Sequence, residues 1–167
     1  MHGGEREAGF GERVTENQRR VFQIACGVLR NPADAEEVAQ EVFLRAYRKF
    51  GSLREADGFR AWVCRIAFRL ALNRQRGARR RLHRETAWHA LGAGEAVDGE
   101  RRAEDAVLLD WLQSEVERLP DTLRWVLVLS TVQDMDATDV GRVLGIPAGT
   151  VRSRLHAARK RLLAAMK

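Results

Sequence analysis

Arginine is the residue type whose placement says most about chemistry in this chain. Between 58 and 84 there is no Asp or Glu, and arginines stand at 60, 65, 69, 74, 76, 79, 80, 81 and 84. Between 147 and 167 acids are again absent, while Arg152, Arg154, Arg159, Lys160, Arg161 and Lys167 are basic. A guanidinium is a fixed fork of donors that fits phosphate oxygens and the acceptor edge of guanine. Two acid-free basic windows therefore suit a grip on two separate stretches of nucleic acid. A solvated helix face is the plain alternative for one such window, and excluding acids from both weighs against it. Acids crowd instead at Asp34, Glu36, Glu37 and Glu41. The helix dipole accounts for acids in a first turn, but Glu41 lies beyond its reach. An acidic surface repels DNA and suits a protein partner.

Other chemistries find little support. The four histidines, His2, His83, His89 and His156, have no ligand spacing. The carboxylates avoid both basic windows, where a metal-dependent nuclease would need them. The expectation is a binding protein and not an enzyme, with no metal and no cofactor. Cys26 and Cys64 sit inside apolar helical patterns and read as buried free thiols. No run approaches the ~20 apolar residues of a membrane span, and the first residues lack the basic and apolar regions of a secretory signal. These features predict a cytoplasmic chain with no membrane insertion. A net charge of +6, with 31% charged and 45% hydrophobic residues, fits a globular polyanion binder.

The positioning elements read as helices almost throughout, for no sustained alternation of apolar and polar residues appears. A first helix is predicted over 16–29, with Val21, Ile24, Ala25 and Val28 inward. Asn31 suits a cap, Pro32 a first helical position, and Val38, Val42, Ala46 and Phe50 recur every four residues. A loop over 51–58 precedes a third helix, with Trp62, Val63, Ile66 and Leu70 inward. Residues 85–103, with Gly92, Gly94 and Gly99, read as linker. Beyond it Leu108, Trp111, Leu112, Val116 and Leu119 form a stripe ending at Pro120. The fold class is all-α: two small helical domains, 1–81 and 104–167, joined by a flexible linker over 82–103.

The second domain holds a helix-turn-helix pattern. Asp136 suits a cap for a short helix over 137–144, with Asp139 three residues later. Gly145-Ile146-Pro147 turns the chain into a longer basic helix. Gly141 supplies the small residue that a close approach requires, and Gly145 tolerates positive φ. The outer face of the last helix then offers Arg152, Ser153, His156 and Arg159, with the amides near Gly149 and Thr150 open to a phosphate.

These segments together resemble the sigma-70 family, and within it the extracytoplasmic-function group. The first block is Asn31-Pro32-Ala33-Asp34-Ala35-Glu36-Glu37 running on to Arg45-Ala46-Tyr47, followed by Phe59-Arg60-Ala61-Trp62-Val63-Cys64-Arg65. The second is Leu119-Pro120 with Leu144-Gly145-Ile146-Pro147-Ala148-Gly149-Thr150-Val151-Arg152-Ser153-Arg154-Leu155. The resemblance implies a promoter-specificity factor working with core RNA polymerase. Asp34, Glu37, Gln40 and Glu41 would meet the polymerase. Phe59, Trp62, Arg65, Arg69, Asn73 and Arg76 would hold minus-ten promoter DNA, with Phe59 and Trp62 either stacking on unpaired bases or packing in the core. Thr150, Arg152, Ser153, His156, Arg159 and Lys160 would read the minus-35 element, and an anti-sigma factor would be a further partner. Arg69 stands where the family usually carries asparagine. Arginine only donates, which directs it to acceptor-rich base edges or to phosphate. The alternative is a free-standing helix-turn-helix regulator, which usually needs a symmetric dimer. The sequence shows no evident dimerisation heptad.

Overall fold

Seven helices make up the described part of the chain, a computed structural model that describes residues 3–50, 56–86, 100–132 and 135–166. The first unit contains α1 (Gly3–Leu29), α2 (Pro32–Lys49) and α3 (Ala56–Thr86). The second contains α4 (Glu100–Arg118), α5 (Asp121–Ser130), α6 (Ala137–Leu144) and α7 (Ala148–Ala165). No strand occurs among the described residues. Most of the expected linker, 87–99, lies outside them.

Local chemistry sets several boundaries. The Asn31 side chain accepts from the Asp34 N–H at 3.1 Å, with Pro32 leading into α2. Arg48 and Lys49 close α2 with positive charge beside its negative dipole end. Asp136 accepts from the Thr138 and Asp139 N–H groups, both at 2.8 Å, to start α6. The Asp139 carboxylate does not fold back on that cap and turns to Arg60 and Arg142 instead. Gly145, at φ 71, ends α6 in the left-handed region and donates to the Gly141 carbonyl.

The core runs through both units as one cluster. Val21, Ile24, Ala25 and Val28 meet Ala35, Val38, Val42 and Ala46, and α3 adds Phe59, Val63, Cys64, Ala67 and Ala71. In the second unit Val126, Leu129, Val140, Val143 and Val151 fill the space between α5, α6 and α7. Fully burying one such side chain contributes about 1.5–3 kcal/mol.

Three expectations change. α1 starts well before residue 16, because Phe10 seats against Tyr47 and Phe50, each at 5.2 Å, and against Phe59 at 6.3 Å. α3 continues past residue 81 to Thr86. The α4 stripe is not buried: Leu119 is, but Leu108 stays 56% exposed and Leu112 38%. Few helices stand beside α4 to cover that face.

Gly141 permits the tight turn. A Cβ there would lie 2.5 Å from the Ile146 carbonyl oxygen, which is backbone and has little freedom to retreat. Gly141→Ala is therefore expected to lower stability by about 1–3 kcal/mol in urea denaturation. Gly149→Ala, where an added Cβ meets nothing, should lose none.

Candidate nucleic-acid interface

α7 presents one buried side and one basic side. Val151 and Ala158 are buried, while Arg152, Ser153, His156, Arg159 and Lys160 are exposed. Thr150 is half-buried, and its carbonyl accepts from the Ser153 hydroxyl at 3.0 Å. That bond uses the hydroxyl proton and leaves the Ser153 oxygen as an acceptor. No side chain caps the start of α7. Its first amides have no intrahelical acceptor and suit an anion.

α3 is 31 residues long, a rod of about 46 Å. Arg69, Asn73 and Arg76 are exposed along it. Arg65 is half-covered and donates to the Arg142 carbonyl from Nε at 3.2 Å and Nη2 at 3.0 Å. Phe59 corrects an expectation. It is 1% exposed, edge-on to Phe50 at 5.8 Å, with Arg13 stacked over its ring. A ring so placed belongs to the core and is not offered to a base. Trp62 is half-buried beside it, the centroids 6.3 Å apart.

The acidic helix is less open than its composition implies. Arg74 of α3 reaches Asp34 at 2.7 Å and Glu37 at 2.5 Å, tying α2 to α3. Glu41 pairs along its own helix with Arg45 at 2.5 Å. Gln40 is exposed. Beside it lies a groove of about 860 Å³ between α1 and α2, lined by Phe10, Val14, Phe22, Phe43, Leu44 and Tyr47 among others. The periodic register Val38, Val42, Ala46 and Phe50 does not include Leu44 or Tyr47. The available signal was their offset by one or two positions from the buried Val38, Val42, Ala46 register, which rotates them onto the neighbouring face.

Among the described residues no group of three or more His, Cys, Asp or Glu gathers as a metal site. Both cysteines are free thiols.

Comparison with known proteins follows the same division. The Sigma-70 region 2 family model matches residues 13–81, and the Sigma-70 region 4 model matches 109–162. The ECF RNA polymerase sigma factor SigW of Bacillus subtilis is 31% identical over 168 residues, covering 95% of this chain and 89% of SigW. The chain belongs to the sigma-70 family, in its extracytoplasmic-function group. The RNA polymerase sigma-H factor of Pseudomonas aeruginosa is also similar, 32% identical over 88% of this chain and 80% of that protein. Among solved structures, CnrH in complex with the cytosolic domain of CnrY shares the fold. Its TM-score is 0.65 at 24% identity, over 96% of this chain and 88% of CnrH. The α1–α3 unit thus carries sigma region 2, and α5, α6 and most of α7 lie within region 4. As an RNA polymerase sigma factor, the protein directs transcription initiation. One chain holding both regions does not favour a free-standing regulator.

Cys64 sits inside the region 2 helix that bears the basic face. Burial pushes its thiol from the ordinary 9.0 up to about 11, only partly offset by Arg20 and Arg60 nearby. An unfolded thiol ionises near 9.0 while the folded one stays protonated. The stability this group contributes is therefore full below pH 9 and is lost as pH rises toward 11. Denaturation midpoints of the wild type are expected to fall between pH 9 and 11 more than those of Cys64→Ala. Ellman's reagent at pH 8 should modify Cys26 first, with Cys64 reacting only on unfolding.

Proposed function

We propose that this sigma factor docks on core RNA polymerase with the α1–α2 face, engages minus-ten DNA with α3 and reads the minus-35 element with α7. The observation that carries the reading is the two-sided character of α7: its buried side locks the helix-turn-helix, while Arg152, Ser153, His156, Arg159 and Lys160 face solvent together. On this reading exposed Arg152 pairs with a guanine edge, and exposed Lys160, farther along, with a phosphate. The same logic applies to Arg69, Asn73 and Arg76 on α3, with Trp62 at its edge. Phe59 acts here only by fixing where α3 starts.

The polymerase surface combines Gln40 and Glu41 with the apolar groove of Phe43, Leu44 and Tyr47. Apolar contact supplies affinity, and the acidic rim supplies orientation. Asp34 and Glu37, already paired with Arg74, take part by exchanging that partner. The protein works by binding, with no bond made or broken, and without a cofactor or metal. Its place is the cytoplasm, where polymerase and promoters are. No described helix is long and apolar enough to cross a membrane. An anti-sigma protein is a further partner. The similar RpoE of Bartonella quintana is solved with the anti-sigma factor NepR, at 19% identity and a TM-score of 0.65, over 95% of this chain and 96% of RpoE. Val107, Leu108 and Leu109 on α4 and Leu163 on α7 are exposed apolar side chains that suit such a contact.

Run-off transcription with core polymerase and a promoter library tests the whole reading. Selective initiation is expected only when both are present; tight, sequence-specific binding by the chain alone at physiological salt would point to a free-standing regulator. Arg152→Ala should cost about 1–3 kcal/mol at one minus-35 position, whereas Lys160→Ala should weaken all sequences alike. A uniform loss for Arg152→Ala would make that residue a phosphate contact. Reversing Glu37 and Glu41 to lysine together should weaken polymerase binding with circular dichroism unchanged, since exposed helix substitutions shift stability by only about 0.5 kcal/mol.

A further inference from the structure

A pocket of about 190 Å³ is lined by α3, the start of α5, the α6–α7 turn and α7. Leu72, Trp125, Leu144 and Ile146 form its apolar wall. Its polar lining is Arg76 of α3, Arg154 of α7, and Asp121 and Thr122 at the start of α5.

This lining holds more donors than acceptors. Among the described residues neither Arg76 nor Arg154 makes an ion pair or a hydrogen bond, and the Thr122 hydroxyl makes none either. No side chain caps α5, and the Leu123 and Arg124 amides both bond to the Pro120 carbonyl, at 2.9 Å. The Asp121 and Thr122 amides ahead of them have no helical acceptor and stand at the positive end of the helix dipole. Trp125 is 8% exposed, and its Nε1 is buried with no acceptor. Burying an N–H without a partner is costly, and the described chain supplies none. The single acid in the lining, Asp121, is bound to Arg124, so its charge is already balanced. Two uncompensated guanidinium groups therefore stand beside an apolar, aromatic wall.

We propose that this pocket binds a small phosphate monoester. Its phosphate lies between Arg76, Arg154 and the first amides of α5, and its organic part packs against Trp125 and the aliphatic wall. A carboxylate brings two oxygens and one charge. A phosphate monoester brings three oxygens and nearly two charges at neutral pH, which matches two guanidinium groups and a helix start. The apolar wall favours an ester over bare phosphate. The volume falls below the roughly 300 Å³ at which drug-sized ligands begin, so the organic part is limited to about one small ring. A DNA phosphate is the other source of the same chemistry. It is a diester with one charge and a sugar on each side, which suits the open basic faces better than a walled pocket. Arg154 and Thr122 of this site lie outside the residues proposed for minus-ten DNA. Arg76 is shared, so the ester and that DNA draw on one guanidinium.

Phenyl phosphate is the probe, titrated into the full chain by calorimetry and by NMR of the tryptophan indole N–H groups. One equivalent should bind saturably. The Trp125 signal, assigned with Trp125→Phe, should move more than those of Trp62, Trp88 and Trp111. Inorganic phosphate and phenol, which each carry one half of the ester, should bind at least about tenfold more weakly. Arg154→Met and Arg76→Met should each weaken phenyl phosphate about tenfold, the loss of one charge-assisted pair. Arg161→Met, at an exposed arginine of α7 outside the pocket, should not. Circular dichroism checks that each variant is folded, and the two pocket variants on separate helices serve as independent tests. Absence of saturable binding, or unchanged affinity in both pocket variants, overturns the site. Inorganic phosphate binding as tightly as phenyl phosphate rules out an ester pocket. If Arg154→Met weakens a mixed-sequence DNA duplex by the same factor as phenyl phosphate, the pocket is a DNA backbone contact and the small-ester proposal fails.

Discussion

Helix α3 has to serve two surfaces at once, and the rest of the structure is arranged around that constraint. Its inner side sends Phe59, Val63, Cys64, Ala67 and Ala71 into the core. Nine of its 31 positions are arginine. Burying a charge without a partner is costly, so the helix must be rotated to keep its guanidinium groups at the edge or in solvent. The aromatic cluster of Phe10, Phe50 and Phe59 fixes that rotation at the N-terminal end. Interlocked rings leave few alternative packings. α1 and α2 then follow as the two helices that cover the inner side.

Charge is partitioned in the same way. Arg74 of α3 bridges to two acids of α2, Asp34 and Glu37. The tie is solvent-facing and so adds little stability. Its effect is to hold the acidic helix beside the basic one in a set register. The proposed surfaces for polymerase and for DNA thus lie on adjacent helices of one small unit. Opposite charge separates the two classes of partner through repulsion as much as attraction.

In the second unit the limiting quantity is the space inside the turn. α6 and α7 approach closely because Gly141 has no Cβ to meet the Ile146 carbonyl. Gly145 can reverse the chain in the left-handed region. The short α6 therefore braces α7 with Val140 and Val143 on one side, leaving the exposed side of α7 as a rigid array. Rigid placement matters because a bidentate contact to a base edge tolerates little displacement.

What the amino-acid sequence determined by itself is everything that depends on neighbours a few residues away. The caps at Asn31 and Asp136, the turn at Gly145, the span of α6 and the exposed face of α7 all follow from local hydrogen bonds, allowed φ and helical period. The family motif lies in the same short runs. Tertiary structure alone decided the long-range pairings. Arg74 finds its acids some 40 residues back, and Arg60 finds Asp139 across 79 residues. Phe59 lies in the core because Phe10, beyond the predicted start of α1, arrives to cover it. Leu108 and Leu112 of the apolar, periodic α4 stripe stay exposed because few helices pack beside α4. Periodicity says which side of a helix is apolar, but only the packing of distant segments decides whether anything covers that side.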